Sequence, residues 1–382
     1  MDFREKIKKA NRIIFKFGTG VLTRDDGTIA LSRIYSFIES IADLKKQNKQ
    51  IIIVSSGAVG FGLKKLNMSS KPTVLVLKKA CAAIGQGRLM YLYEEGFDKF
   101  SINTAQILLT NEDFSIRERY LTLRDTLNTL LELDVIPIIN ENDTISTSNI
   151  KNLKEDAGNV CFEDNDKLSA LVMSKLDCDM LVILSDIDGL YDDDPRINKN
   201  AKVIPLVKEF TKEIESLGFE ASKKGRGGMK TKLEAVKIAV HSGGLAIIAN
   251  GKTNDIISKI FSGEETGTVF LPMEQLSSKK RWIAYATNVN GTVKVNAGAK
   301  NALINNFSSL LPSGIIEFKN KFEKGDVISI VDDENQEFAR GVSNYSNIEC
   351  KKIIGKQSNE IEEILGHKEY DEFINRDNIV IL

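Results

Sequence analysis

Two lysines stand in loops that could approach an anion. Lys16 ends the apolar run "RIIFKF" and is followed by "GTG", a turn in which Gly18 and Gly20 let backbone N–H groups close on a charged ligand. Lys232 lies in "GRGGMKTK", where Arg226, Gly227, Gly228, Met229, Lys230 and Thr231 lead into a helical pattern and offer a helix N-terminus beside the cation. Neither stretch is a GxxxxGK[ST] phosphate loop, and the first lacks the third glycine of a dinucleotide fingerprint. Between them come "VSSGAVGFG" with Ser56 and Gly57, "NENDTIST" with Asn142 and Asp143, "FEDNDKLSAL" with Asp164, Asn165 and Asp166, and "LSDIDGLYDDDPR" with Ser185, Asp186 and Tyr191. Cations, glycine turns and carboxylates together suit phosphoryl transfer, in which the protein positions groups and neutralises charge spread over the transferred oxygens. The two histidines, His241 and His367, fall outside these loops, which argues against an imidazole base. A carboxylate acceptor needs no base, being ionised at neutral pH, so the set points to a kinase that forms an acyl phosphate.

Taken singly, each piece has an ordinary explanation. Ser56-Gly57 could be a turn with a helix cap, Asn142 and Asp143 turn formers, and Asp164 a cap for the helix that begins near Asp166. Lys16 could be a solvated lysine at a strand end. The functional reading rests on the constellation.

The elements that must position these loops follow from hydrophobic patterning. "RIIFKF", "QIIIV", "TAQILLT", "DVIPIIN", "DMLVILS" and "LAIIAN" are apolar at consecutive positions, as strands buried on both faces of a sheet are. Between them, "LSRIYSFIESIADLKKQ" puts Ile34, Phe37, Ile38, Ile41 and Leu44 on one helical stripe, and "RYLTLRDTLNTLLEL" and "NDKLSALVMSKL" share its period. The alternation predicts an α/β domain, a mainly parallel sheet with helices on both faces, and ligands at the carboxyl ends of its strands. The chemistry-bearing loops follow those ends.

Composition sets the class. At 382 residues, 42% hydrophobic and 27% charged, the chain has room for two or three globular domains, and its net charge of −1 gives no global pull toward nucleic acid or membrane. Cys81, Cys161, Cys178 and Cys350 form no CxxC pair, which predicts free thiols in a reducing compartment. The charged N-terminus "MDFREKIKKANR" is no signal peptide, and no apolar run reaches membrane-span length; a soluble cytoplasmic protein is expected.

The ordered series "KFGTGVLT", "VSSGAVGFG", "AAIGQGRLM", "RYLTLRDTLNTLL", "IPIINENDTIST", "DNDKLSALVMSKL", "SDIDGLYDDDPR" and "GRGGMKTKLEAVKIA" resembles the amino acid kinase family, in the branch whose acceptor is glutamate. The resemblance covers most of residues 10–270. It implies an αβα sandwich, ATP and Mg²⁺ as cofactors, phosphorylation of the γ-carboxylate of L-glutamate at the first step of proline synthesis, feedback inhibition by proline, and a homo-oligomer. It implies that Lys16 and Gly18 meet the ATP phosphates and the transferring group, with Lys232 as the second catalytic lysine. Ser56, Asp143 and Asn165 then contact glutamate, the last two at its α-amino and carboxylate ends, and Asp166 fixes the lysines or a Mg²⁺-bound water. Ser185, Asp186 and the stretch from Arg226 to Lys232 become nucleotide contacts, while Tyr191 and "DDDPR" shape the nucleotide loop. No protein-held metal site is expected. Two departures stand out: Gly20 replaces a frequent serine, and the connection over residues 149–163 is long, either a solvated flap or a segment that alters glutamate affinity or proline inhibition.

Beyond "GTVFLP" the character changes. Residues 1–275 read as the kinase domain and 276–382 as a β-rich unit with an acidic tail. "GTVKVNAG", "SGIIEFKN", "DVISIVD" and "EFARGVSNY" read as short strands, and "AGAKNALINNFSSLLPSGI" resembles the opening of a PUA domain, a module found on many RNA-modifying enzymes. An RNA-associated protein on a kinase-like scaffold is therefore the alternative. From Lys279 to Lys356 there are twelve Lys/Arg against eight Asp/Glu. That excess is sparser than a phosphate-binding stripe, which favours an interaction or regulatory role.

Overall fold

The apolar runs become the strands of one sheet: β1 (Arg12–Phe17), β2 (Gln50–Ser55), β3 (Thr104–Leu109), β4 (Ile136–Glu141), β5 (Met180–Ser185), β6 (Leu206–Val207), β7 (Leu245–Asn250) and β8 (Thr268–Phe270). Their order is β3-β4-β2-β1-β5-β7-β8-β6. Every neighbouring pair is parallel except β7 and β8, where the chain reverses. The structure is a computed structural model that describes residues 3–68, 74–146, 165–218 and 228–382. The chain divides into two compact units with the boundary between Leu276 and Ser277.

Side-chain alternation along β1 decides what each layer receives. Ile13, Phe15 and Phe17 enter a core with Phe37, Ile38 and Ile41 of the Leu31–Lys46 helix and with Leu89, Tyr93 and Phe97 of the Leu75–Asp98 helix. Ile14 and Lys16 point to the other face, which the Asn165–Leu176 helix covers together with the Met229–His241 helix. The sheet is thus a middle layer between two layers of helix. Lys16 projects into the apolar side of a helix-on-sheet interface, where a lone ammonium would be costly.

Two helices unread in the sequence complete the first unit near the site. Gly57, at φ +106°, turns the chain from β2 into the Ala58–Lys65 helix, a conformation that favours glycine. That helix crosses the Leu75–Asp98 helix at backbone contact. A Cβ on Gly62 would stand 1.8 Å from the Cys81 carbonyl oxygen, and one on Gly85 would stand 1.8 Å from that of Ala58. Only glycine fits at either position.

The second unit holds β9 (Gly291–Val295), β10 (Ile315–Lys319), β11 (Val327–Val331), β12 (Glu337–Val342) and β13 (Ile379–Ile381), in the order β10-β9-β11-β12-β13. Its pairs are antiparallel except β9 with β11. Val293, Ile328, Ile330, Phe322, Tyr345 and Phe373 pack in its core. The segment read in the sequence as an acidic tail is built into this unit instead. Ile361, Phe373 and Ile374 are buried there, and β13 pairs with β12. Apolar residues scattered among acidic ones hid that burial from a reading of charge.

Candidate active site

β1 delivers Lys16 opposite Val54 of β2 and Ile183 of β5, at the carboxyl end of the sheet. The Gly18 N–H then donates to the Leu184 carbonyl at 3.0 Å, so the turn hugs the end of β5. From the covering layer, the Asn165–Leu176 helix presents Asp166 in its first turn, where a carboxylate suits the helix dipole. The Met229–His241 helix presents Lys232 in its own first turn, after Gly228. These three side chains meet. Lys16 Nζ lies 2.5 Å from Asp166 Oδ1, and Lys232 Nζ donates to Asp166 Oδ2 at 3.0 Å. Asp166 is fully buried, and each lysine is about 5% exposed (5% and 6%). Burial works against ionisation of Asp166, but the two ammonium groups outweigh it and hold the carboxyl far below the usual range. Among the described residues, two cations face one anion here, the polarity a phosphoryl group in transfer requires. The reading of Lys16 as a solvated lysine is thereby excluded.

Beside Asp166, the Asn165 amide Nδ2 donates to Ser56 Oγ at 3.0 Å, to the Ser55 carbonyl at 3.1 Å and to Asn140 Oδ1 at 2.8 Å. Two substrate candidates, Ser56 and Asn165, are therefore in direct contact. The third, Asp143, is half-buried beyond β4. Burial first, then the neighbouring Glu141 carboxylate, pushes its carboxyl up to about 7 against the pull of Lys79. The structure also supplies residues the sequence reading missed. Asn140 Nδ2 donates to Gln86 Oε1 at 2.9 Å, and Ser55 Oγ shares a 2.9 Å hydrogen bond with Tyr93. Asn140 could have been noticed as the amide ending an apolar strand. Gln86 gave no signal beyond being the polar residue in "AAIGQG".

On the other side of β1, Ser185 ends β5, and its Oγ donates to Asp186 Oδ1 at 3.3 Å. A Cβ on Gly20 would lie 3.4 Å from Asp186 Oδ2, so this glycine abuts that carboxylate. The following loop is tied by Asn250 Nδ2 to Asp188 (2.8 Å), Tyr191 OH to Asp188 (3.0 Å) and Arg196 to Asp194 (2.7 Å). Tyr191 and the aspartate run thus bond within the loop. Met229, Lys230 and Thr231 form the first turn of the Lys232 helix, where N–H groups can face an anion. Arg226, Gly227, Asp164, Cys161 and the 149–163 connection lie outside the described residues. No group of three or more potential metal ligands (His, Cys, Asp or Glu) occurs among the described residues, and no described helix is long and apolar enough to cross a membrane.

Comparison with known proteins shows the family. Residues 11–250 match the model of the amino acid kinase family, and residues 291–365 match that of the PUA domain. A glutamate 5-kinase of Caldanaerobacter subterraneus is 47% identical over 373 residues, 97% of this chain and 98% of the relative. One from Methanosarcina acetivorans is 44% identical over 390 residues, 100% of this chain and 98% of the relative. One from Geobacter sulfurreducens is 44% identical over 378 residues, 98% and 99%. The chain belongs to the amino acid kinase family, on its glutamate 5-kinase branch.

Proposed function

We propose that the protein transfers the γ-phosphoryl group of ATP to the side-chain carboxylate of L-glutamate, forming L-glutamyl 5-phosphate and ADP at the first step of proline synthesis. The observation that carries this is the buried Lys16–Asp166–Lys232 cluster beside the Asn165–Ser56 pair. A glutamate carboxylate oxygen attacks the γ-phosphorus while the bond to the β,γ-bridging oxygen breaks, and no proton has to move. Lys16 and Lys232 stabilise the charge on the transferring oxygens, and Asp166 holds both ammonium groups in place. Ser56 and Asn165 grip the amino acid, and ionised Asp143 receives its α-ammonium. Ser185, Asp186, Gly18 and the stretch from Arg226 to Lys232 take the nucleotide. Mg²⁺ enters with the phosphates as part of the substrate, since both oxygens of Asp166 already face lysines.

Free thiols at Cys81, Cys178 and Cys350 suit a reducing cytoplasm. Proline inhibition and self-association belong to the proposal on the strength of the family resemblance. The RNA-associated alternative is not favoured, because the lysine–aspartate cluster is intact and the C-terminal charges are mixed. The test is a hydroxylamine trap for acyl phosphate with MgATP and candidate acceptors. L-Glutamate should give the hydroxamate. Equal or better turnover of acetylglutamate, aspartate or a nucleoside monophosphate would overturn the assignment.

A further inference from the structure

The amide chain beside the lysines has a direction that the backbone imposes. The Glu141 N–H donates to Asn140 Oδ1 at 2.9 Å, and a backbone N–H cannot be turned round. Asn140 must therefore present its oxygen to Glu141 and to the Asn165 amide, and its Nδ2 to Gln86. Gln86 must in turn offer Oε1 to Asn140, which leaves Nε2 as the terminal group of the chain. Gln86 is nine-tenths buried (9% exposed), and its Nε2 has no hydrogen-bond partner among the described residues. A buried amide N–H left unpaired is unfavourable and is kept where something else supplies the acceptor. Its placement is built rather than incidental. Gly85, the preceding residue, packs on the Ala58 backbone, and Ala58 directly follows the Ser56-Gly57 turn.

We propose that Gln86 is a specificity-determining residue of the acceptor site, donating its Nε2–H to the α-carboxylate of the amino acid while Oε1 steadies Asn140 and, through it, Asn165. The assignment to the α-carboxylate follows from order along the chain. Asn165 adjoins Asp166 and the lysines, where the reacting carboxylate must lie, and Asn140 and Gln86 lead away from them. Asp143 attracts the ammonium, and an amide N–H is what a neighbouring carboxylate needs. The inference rests on L-glutamate being the acceptor.

Gln86→Glu tests it, because a glutamate there can still accept from Asn140 Nδ2 but replaces the terminal donor with an oxygen. Steady-state kinetics should show KM for L-glutamate raised about tenfold or more, the loss expected when a charge-assisted hydrogen bond is removed. KM for ATP should stay within about twofold, and the thermal midpoint should be little changed. Gln86→Met, which removes both ends of the amide, should raise the same KM. It serves as the test alone if the glutamate variant does not fold. An unchanged KM for glutamate would overturn the inference, since the donor would then be idle. So would a parallel loss in KM for ATP and kcat, which would make Gln86 merely structural. If the wild-type enzyme fails to phosphorylate glutamate at all, the functional reading fails instead.

Discussion

Asp166 sets one negative charge against two ammonium groups in a space closed to water, so either lysine is worth more there than at a surface. Lys16→Met and Lys232→Met should each lower kcat by about 10²-fold or more, with smaller effects on either KM. Both should also lower the thermal midpoint, because each removes a charge-assisted contact to buried Asp166. A variant with near-normal kcat would remove that lysine from the mechanism. Asp166 itself titrates below the ordinary carboxylate range, so its ion pairs contribute stability above that range and lose it only in strong acid. Asp143 has the opposite sign. Its carboxyl is raised to about 7, so the folded state holds the proton more tightly than the unfolded one, and its effect on stability worsens as pH rises from the ordinary carboxylate range to about 7. Binding an ammonium needs the ionised form. KM for glutamate should therefore climb as pH falls below about 7 while KM for ATP stays flat, and Asp143→Asn should abolish that dependence and leave KM high throughout. A pH series on both proteins decides this.

At the scale of the elements, the site depends on two helices touching backbone to backbone. Gly85→Ala would place a methyl 1.8 Å from the Ala58 carbonyl oxygen, so the helices must part, at a cost of roughly 3 kcal/mol. Parting them moves Gln86 away from Asn140, so KM for glutamate should rise as well. Gly87→Ala, two residues on, meets nothing within 4 Å and should stabilise the helix by roughly 0.5–1 kcal/mol. Thermal melts and kinetics on the pair make the comparison. The same crossing explains what the sequence could and could not reveal. The central strands were readable because each is a run of β-branched and aliphatic residues, and the Leu31–Lys46 helix because its stripe is one-sided. The Leu75–Asp98 helix has no such stripe: Cys81, Leu89 and Phe97 are buried on one face, while Leu77, Ile84 and Tyr91 are exposed on another. Lys16, Asp166 and Lys232 were legible as chemistry because each stands at the end of a strand or the start of a helix, beside a run of polar and small residues. Gln86 and Asn140 belong to segments joined only by tertiary packing, and no local pattern announces such a pair.

At the scale of the whole molecule, the described residues of the proposed chemistry lie in the first unit, and its last residues are fastened to it. The Leu276 N–H donates to the His241 carbonyl at 3.1 Å, and Gln275 abuts Gly243, whereas Ser277 already caps the next helix. A chain ending at Leu276 should fold and phosphorylate glutamate with kcat within a fewfold of the full chain, as kinetics with circular dichroism would show. A folded but inactive product would mean that the second unit completes the site. The position of β1 has a separate consequence, for the birth of the protein rather than its work. β1 is translated first, yet its partner β5 comes late, after β2, β3 and β4. While the ribosome is still making the stretch before Met180, a half-sheet of β3, β4, β2 and β1 can assemble with one side of "RIIFKF" unpaired. Such an apolar edge recruits other nascent chains, and parallel pairing over long separations closes slowly. The hazard this fold carries therefore falls during synthesis, and chaperones would be needed most in the interval before β5 emerges.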